Sequence, residues 1–332
     1  MSRQRQPARG CGAALVAALC SAAVLAAEPD VLHQGIAHDA LYDVCFDARG
    51  GVAVGAAGVV LTSSDAGASW QPQPQEATPL ALLGVACGEE RRLAVGQTGI
   101  VLIDDGKGWR KVESGTGQRL LAVAMNGSGL AVAVGGFGAV MLSRYRGESW
   151  EPVAFDWPAL VEDFAEPHLY DVAVAEDGAI TLVGEFEIVM RSPDGGASWA
   201  RVHKGDASLF GLHIGSSGVG YAVGQEGRIL RSGDGGASWE ALEAPIDAPL
   251  LGVWASADDR VMVSGMRTVL AGSPGGASWS RLEGADIATG WYAAVAAATG
   301  DAERIVGVGN AGRVLGFASA VTAEEDDDKH KP

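Results

Sequence analysis

The residues with the most chemistry in reach are carboxylates. Glu162, Asp163, Glu166, Glu185 and Glu187 stand close together in the middle of the chain. Two acids about 5–10 Å apart across a cleft can hydrolyse a glycosidic bond, one donating a proton while the other attacks or activates water. Acids are also common solvated side chains, so their number alone selects nothing. Phe137, Trp157, Phe164 and Phe186 lie among them and offer a second chemistry. Exposed aromatics beside charges make a protein-recognition patch. Metal chemistry has no footing. His33, His38, His168, His203, His213 and His330 form no short-spaced ligand pair. No Gly-x-Ser-x-Gly elbow and no phosphate loop ending Gly-Lys-Ser/Thr occurs. The expectation is no catalytic residue, no metal and no cofactor.

What must position these groups is a repeat. Ser232-Gly233-Asp234-Gly235-Gly236-Ala237-Ser238-Trp239 has a copy at Ser192, Asp194, Gly196 and Trp199, and another at Ser63, Asp65, Gly67 and Trp70. A worn copy ends at Trp279, and weaker ones end at Trp109 and Trp150. The tryptophans are 39, 41, 49, 40 and 40 residues apart. A fixed period near forty residues marks a repeat architecture. Within the box, Asp and Gly fold a tight turn and Trp opens the next strand. Upstream, each unit has an apolar strand, a second strand ending Val-Gly (Ser264-Gly265 in the sixth unit), and a short third strand. Seven such units occur, roughly 41–73, 80–113, 119–153, 169–203, 208–243, 249–283 and 290–318. None has core enough to stand alone, so neighbours must stack. The expectation is an all-β, seven-bladed β-propeller of four-stranded antiparallel blades over 28–318. The seventh unit has no box and no Trp strand, whereas residues 30–36 form a spare strand. That N-terminal strand is expected to complete the last blade and remove an exposed edge.

The interval of 49 marks an insertion between blades 3 and 4, within residues 154–168. Long loops on rigid scaffolds concentrate function. In a propeller the inter-blade connections share a face with the turns between second and third strands. Phe137, Trp157, Phe164 and Phe186 should then cluster, rimmed by the five acids. Two arrangements satisfy this: an exposed binding patch, or aromatics folded down to anchor the loop. An active site is a third. Sialidases use similar boxes but grip a carboxylate with three arginines. Arg228, Arg267 and Arg313 fall near the central face, without the Arg-Ile-Pro context of those enzymes.

Arg3, Arg5 and Arg9, an apolar run over 12–25 and a small-residue site near Ala26 and Ala27 read as a signal peptide over 1–27. The run is short for a retained membrane anchor. Loss of three arginines takes the formal charge of −17 to about −20, which disfavours nucleic acid. Residues 319–332 form a charge run without an apolar face, the pattern of a disordered acidic tail. Cys45 and Cys87 remain in the first strands of neighbouring units. An oxidising compartment permits a disulfide. Counted from Leu41 and Leu82, however, the two stand one residue apart in register, so two buried thiols are expected.

The run from Val223-Gly224 through Ile229-Leu230 and Ser232 to Trp239 resembles the photosystem II stability/assembly factor family, seven-bladed propellers of Asp-box (bacterial-neuraminidase) repeats. The likeness spans about 30–318. It implies a non-enzymatic factor that helps assemble membrane-protein complexes, lumenal in photosynthetic organisms. Relatives in other bacteria are exported and sometimes encoded beside resistance-nodulation-division (RND) exporters; this chain, with its ordinary secretion signal, resembles those more. The photosynthetic members carry an arginine patch for their partner, whereas this chain is acidic and three of its boxes are degraded. The expectation is an exported, periplasmic, monomeric scaffold for a membrane protein or envelope complex, touching it through Phe137, Trp157, Phe164, Glu185, Phe186 and Glu187. The rival is a glycan-binding or sialidase-like glycoside-hydrolase propeller.

Overall fold

Blade 2 shows how one repeat folds. Leu82–Cys87, Arg92–Gly96, Val101–Asp104 and Trp109–Val112 pair in sequence order, each antiparallel to the last. The second strand is buried along its whole length, because a neighbouring blade covers each of its faces. Its sequence is therefore a continuous apolar run rather than an alternation. Seven four-stranded sheets form the ring; six repeat this order, and the seventh takes its outer strand from the front of the chain. The computed structural model describes residues 28–162, 166–298 and 304–318. Residues 1–27, expected to be a signal peptide, Asp163, Phe164 and residues 319–332, expected to be a disordered tail, lie outside the described residues.

The core sits between blades. Val52, Val54 and Val60 of blade 1 pack on Leu82, Val85 and Ala94 of blade 2. The glycine that ends each second strand sets the geometry at one face. A Cβ on Gly96 would stand 2.1 Å from the Ala81 carbonyl oxygen, and one on Gly55 would stand 2.0 Å from that of Ala40. Without it, the inter-blade linker presses onto the next turn, and the Gln97 N–H donates to the Ala81 carbonyl at 3.1 Å. Linkers and these turns thus share one face, here the linker face. The box turns occupy the other.

The ring closes as the missing seventh box predicts. Asp30–His33 pairs antiparallel with Val314–Ala318, in the register Asp30↔Gly316 and Val31↔Leu315. The innermost strands carry a register shift just after their first residue, for example between Leu41 and Asp43 and between Leu169 and Asp171. Their second residues, Tyr42, Leu83, Leu121, Tyr170, Phe210 and Leu251, are half-buried and line an axial cavity of about 350 Å³.

Cys45 and Cys87 form a disulfide, with Cα atoms 5.7 Å apart. The expectation of two free thiols is corrected. Adjacent inner strands are offset by one residue. Asp43, two residues after Leu41, accepts the N–H of Val85, three residues after Leu82. The same offset brings the fourth residue past Leu41 opposite the fifth past Leu82. The register difference that seemed to separate the cysteines is what pairs them.

The box turns are built alike in blades 1, 4 and 5. In blade 5 the Gly236 N–H donates to Ser232 Oγ at 2.9 Å, and Asp234 accepts from the Ser238 N–H and hydroxyl at 2.9 and 2.6 Å. The Trp239 indole donates to the Gly236 carbonyl at 3.1 Å. Asp65 and Asp194 make the same bonds. Hydrogen bonds from the paired serine hold all three carboxyls down at about 2. In blade 2, Asp104 stands where the serine would and accepts the Gly106 and Gly108 N–H groups at 2.9 and 3.2 Å.

Candidate functional site

The insertion folds into a five-residue helix, Trp157–Val161. Asp156 caps it by accepting the Ala159 N–H at 3.4 Å, and Pro158 sits in the first turn, where no backbone donor is needed. Trp157 is only 5% exposed, and its indole donates to the Gly138 carbonyl at 3.2 Å. A Cβ on Gly138 would lie 2.0 Å from that indole nitrogen. Phe155 joins the stack, 4.6 Å from Trp157 and edge-on to Trp199 at 5.3 Å between centroids. The far end of the helix is bound to blade 4. Arg201 donates to the Leu160 carbonyl and Lys204 to that of Val161, and both pair with Glu162 at 3.1 and 3.4 Å. Trp157 is therefore an anchor and not a partner contact, which corrects the expectation. At Trp157 the aromatic folds down to hold the insertion.

Glu187 is corrected in the same way. It is 4% exposed, and its carboxylate meets His203 at 3.1 Å and Arg228 at 3.4 Å. Burial pushes this carboxyl up, but the His203 bond and the Arg228 charge outweigh it and hold the group below its usual range. Gly205 makes the room, since a Cβ there would be 2.4 Å from Glu187 Oε2. Phe186 is half-buried against the core beneath the insertion. Glu185 accepts the His168 N–H at 2.7 Å. Arg267 donates to the Ala288 carbonyl and Arg313 pairs with Asp286 at 2.7 Å, so none of the three candidate arginines lines the axial cavity.

Among the described residues, Phe137 alone of the expected aromatics stands out, at 59% exposed. Its N–H donates to His168 Nδ1 at 3.2 Å, and its ring meets the imidazole edge-on at 5.0 Å. From there an aromatic path runs inward: His168 to Tyr170 at 6.4 Å, then Tyr170 to Phe210 at 5.1 Å at the cavity mouth. Phe137, Phe186 and Glu226 all sit in left-handed backbone at φ of 53°, 60° and 55°. A side chain there costs roughly 1–2 kcal/mol that glycine would avoid.

Two further acids line the cavity. Asp43 accepts the Val44 and Val85 N–H groups, each at 2.8 Å. Asp171 accepts those of Val172 and Leu212 at 2.8 and 2.7 Å. Each staples its blade to the next. Burial among the inner strands raises both carboxyls to about 7, and the Asp43 charge adds to the shift at Asp171. Burial lowers His213, on the same wall, to about 4. The signal for these acids was present: Leu-Tyr-Asp-Val opens blades 1 and 4, where other blades carry Gly84, Ala122, Gly211, Gly252 or Ala294. Among the described residues no three of His, Cys, Asp and Glu gather as a metal-binding group.

The fold and site define a seven-bladed propeller with an aromatic path across its linker face into an acid-lined axis. No family model and no curated protein matches the sequence. Solved structures do match its shape. The chain is similar to YCF48 bound to D1 peptide, with 16% identity over 90% of this chain and 99% of that one and a TM-score of 0.68. It is similar to YCF48 from Cyanidioschyzon merolae, with 15% identity over 88% and 99% and a TM-score of 0.70. It is also similar to the GH74 xyloglucanase from Xanthomonas campestris, with 15% identity over 88% of this chain and 54% of that one and a TM-score of 0.71. At these identities the likeness establishes the fold alone.

Proposed function

We propose that this chain is an exported, non-catalytic scaffold that binds a membrane protein or envelope complex through its linker face. The observation that carries the reading is the aromatic path from exposed Phe137 through half-buried His168 and Tyr170 to Phe210. Aromatics left accessible on a rigid frame are what binding hot spots are made of. The likeness to YCF48 bound to D1 peptide supports a propeller that takes a polypeptide ligand. The disulfide supports an oxidising compartment, as the signal at the front of the chain does. A photosystem II subunit and an RND exporter are the partners that the sequence resemblance implies. The test is capture from solubilised membranes, with partners identified by mass spectrometry. The parent should retain an integral membrane protein that Phe137→Ala with Phe210→Ala releases. Equal retention by both would remove the linker face from the account.

A glycoside-hydrolase reading has one observation in its favour, the paired axial acids with raised carboxyls. Against it, all four of their oxygens already accept backbone N–H groups, and no arginine or lysine lines the cavity. Hydrolysis of xyloglucan or a sialoside by the purified chain, abolished by Asp171→Asn, would establish the enzyme instead.

A further inference from the structure

The axial cavity combines an apolar collar with a one-signed charge. Tyr42, Leu83, Leu121, Tyr170, Phe210 and Leu251 form the collar, and each is half-buried. Behind them the cavity is lined by Asp43, Asp171 and His213, with no lysine or arginine. His213 is neutral near pH 7, because burial lowers it to about 4. A narrow cleft between low-dielectric walls focuses such a field. Asp43 and Asp171, raised to about 7, are mostly ionised at pH 8, where an anion entering the cavity would be repelled and a cation drawn in. The aromatic rings at the mouth act the same way, since their faces attract ammonium and guanidinium groups. Size limits the visitor further. About 350 Å³ admits one or two side chains but no folded element.

We infer that the occupant of the linker face is an extended, basic segment of a partner polypeptide. It lies with apolar side chains along Phe137, His168, Tyr170 and Phe210. It places one guanidinium or ammonium group in the cavity mouth beside Asp43 and Asp171. This inference rests on the binding reading above and names the chemistry of its partner. Complementary charge selects the segment, and the apolar path holds it.

The probe is a fluorescein-labelled decapeptide of alternating arginine and leucine, titrated with the full chain at pH 8 and followed by anisotropy. Two controls replace arginine by glutamate, or leucine by serine. The arginine–leucine peptide should bind at least tenfold tighter than either control. Tyr170→Ala with Phe210→Ala should weaken it at least tenfold. Asp43→Asn with Asp171→Asn should weaken it while abolishing its preference over the glutamate peptide. Melting curves confirm that each variant is folded; the Tyr170 and Phe210 pair carries the test if the aspartate pair does not fold. Equal binding of the glutamate or the serine peptide overturns the inference. So does self-association of the chain that the aromatic pair abolishes, since the occupant is then a second copy. If membrane-protein capture depends on Phe137 and Phe210 but the peptide shows no charge preference, the binding reading stands and the basic segment falls. Loss of both results ends both.

Discussion

Replacing Cys45 and Cys87 by serine should destabilise the ring by about 4 kcal/mol. The bond closes a loop of 42 residues. The chain-entropy relation for a loop of that length gives about 13 cal/mol/K, or about 4 kcal/mol at room temperature. Each kcal/mol shifts the midpoint by about 2–4 °C in domains of 150–250 residues, so the variant should melt roughly 8–16 °C below the parent. The cross-link ties the inner strands of blades 1 and 2, beside the bond from the Val85 N–H to Asp43. That contact survives the substitution, so the loss should be confined to the cross-link. Scanning calorimetry on the parent, the parent with a phosphine reductant, and the double serine variant decides the matter. The reduced parent should coincide with the variant, and the reductant should leave the variant unmoved. A parent that melts within about 2 °C of itself with and without reductant would show that the cross-link adds nothing.

Deleting residues 28–37 removes the strand on Val314–Ala318 and should turn a cooperative melt into a broad or absent one, read by circular dichroism. Stability should peak at mildly acidic pH. Asp65, Asp194 and Asp234, held at about 2 against an ordinary 3.8, contribute stability that is present above about pH 4 and lost as pH falls towards 2. Asp43 and Asp171, raised to about 7, contribute stability that is full below about pH 4 and fades as pH rises through 7; Asp43→Asn with Asp171→Asn should flatten that alkaline limb in urea titrations. Trp157→Ala should cost about 3–5 kcal/mol by leaving a cavity under the insertion, seen as a lowered urea midpoint. Phe137→Gly should leave stability unchanged or raise it by up to about 1 kcal/mol, relieving left-handed backbone, while weakening membrane-protein capture.

The architecture was legible because period and turn chemistry are local. The spacing of Trp70, Trp109, Trp150, Trp199, Trp239 and Trp279 counts the blades, and the absent seventh box points to the front strand. The site was less legible because it depends on contacts between blades. Nothing in the sequence around Trp157 says that its ring drops onto Gly138, since a glycine needed for a turn looks the same as one that admits an indole. Glu187 reads as a surface acid until Arg228, from the next blade, and His203, from the outer strand of its own, are brought against it. The axial acids were visible as an oddity in two of seven inner strands. Their meaning needed the offset that sets Asp43 level with Val85 and Asp171 level with Leu212.

The pairing of Asp30 with Gly316 has a consequence for how the molecule is held. Entry and exit of the polypeptide coincide at one point on the rim of the disc. Anything joined to either terminus, whether a tether, a tag or a neighbouring domain, grips the wheel by its tyre and leaves both broad sides open to visitors. The last-made strand of the ring also finds its groove beside the first, so the circle stays unsealed until the seventh blade has been made. A rearranged gene that joins the two ends and opens a box turn instead should yield the same wheel.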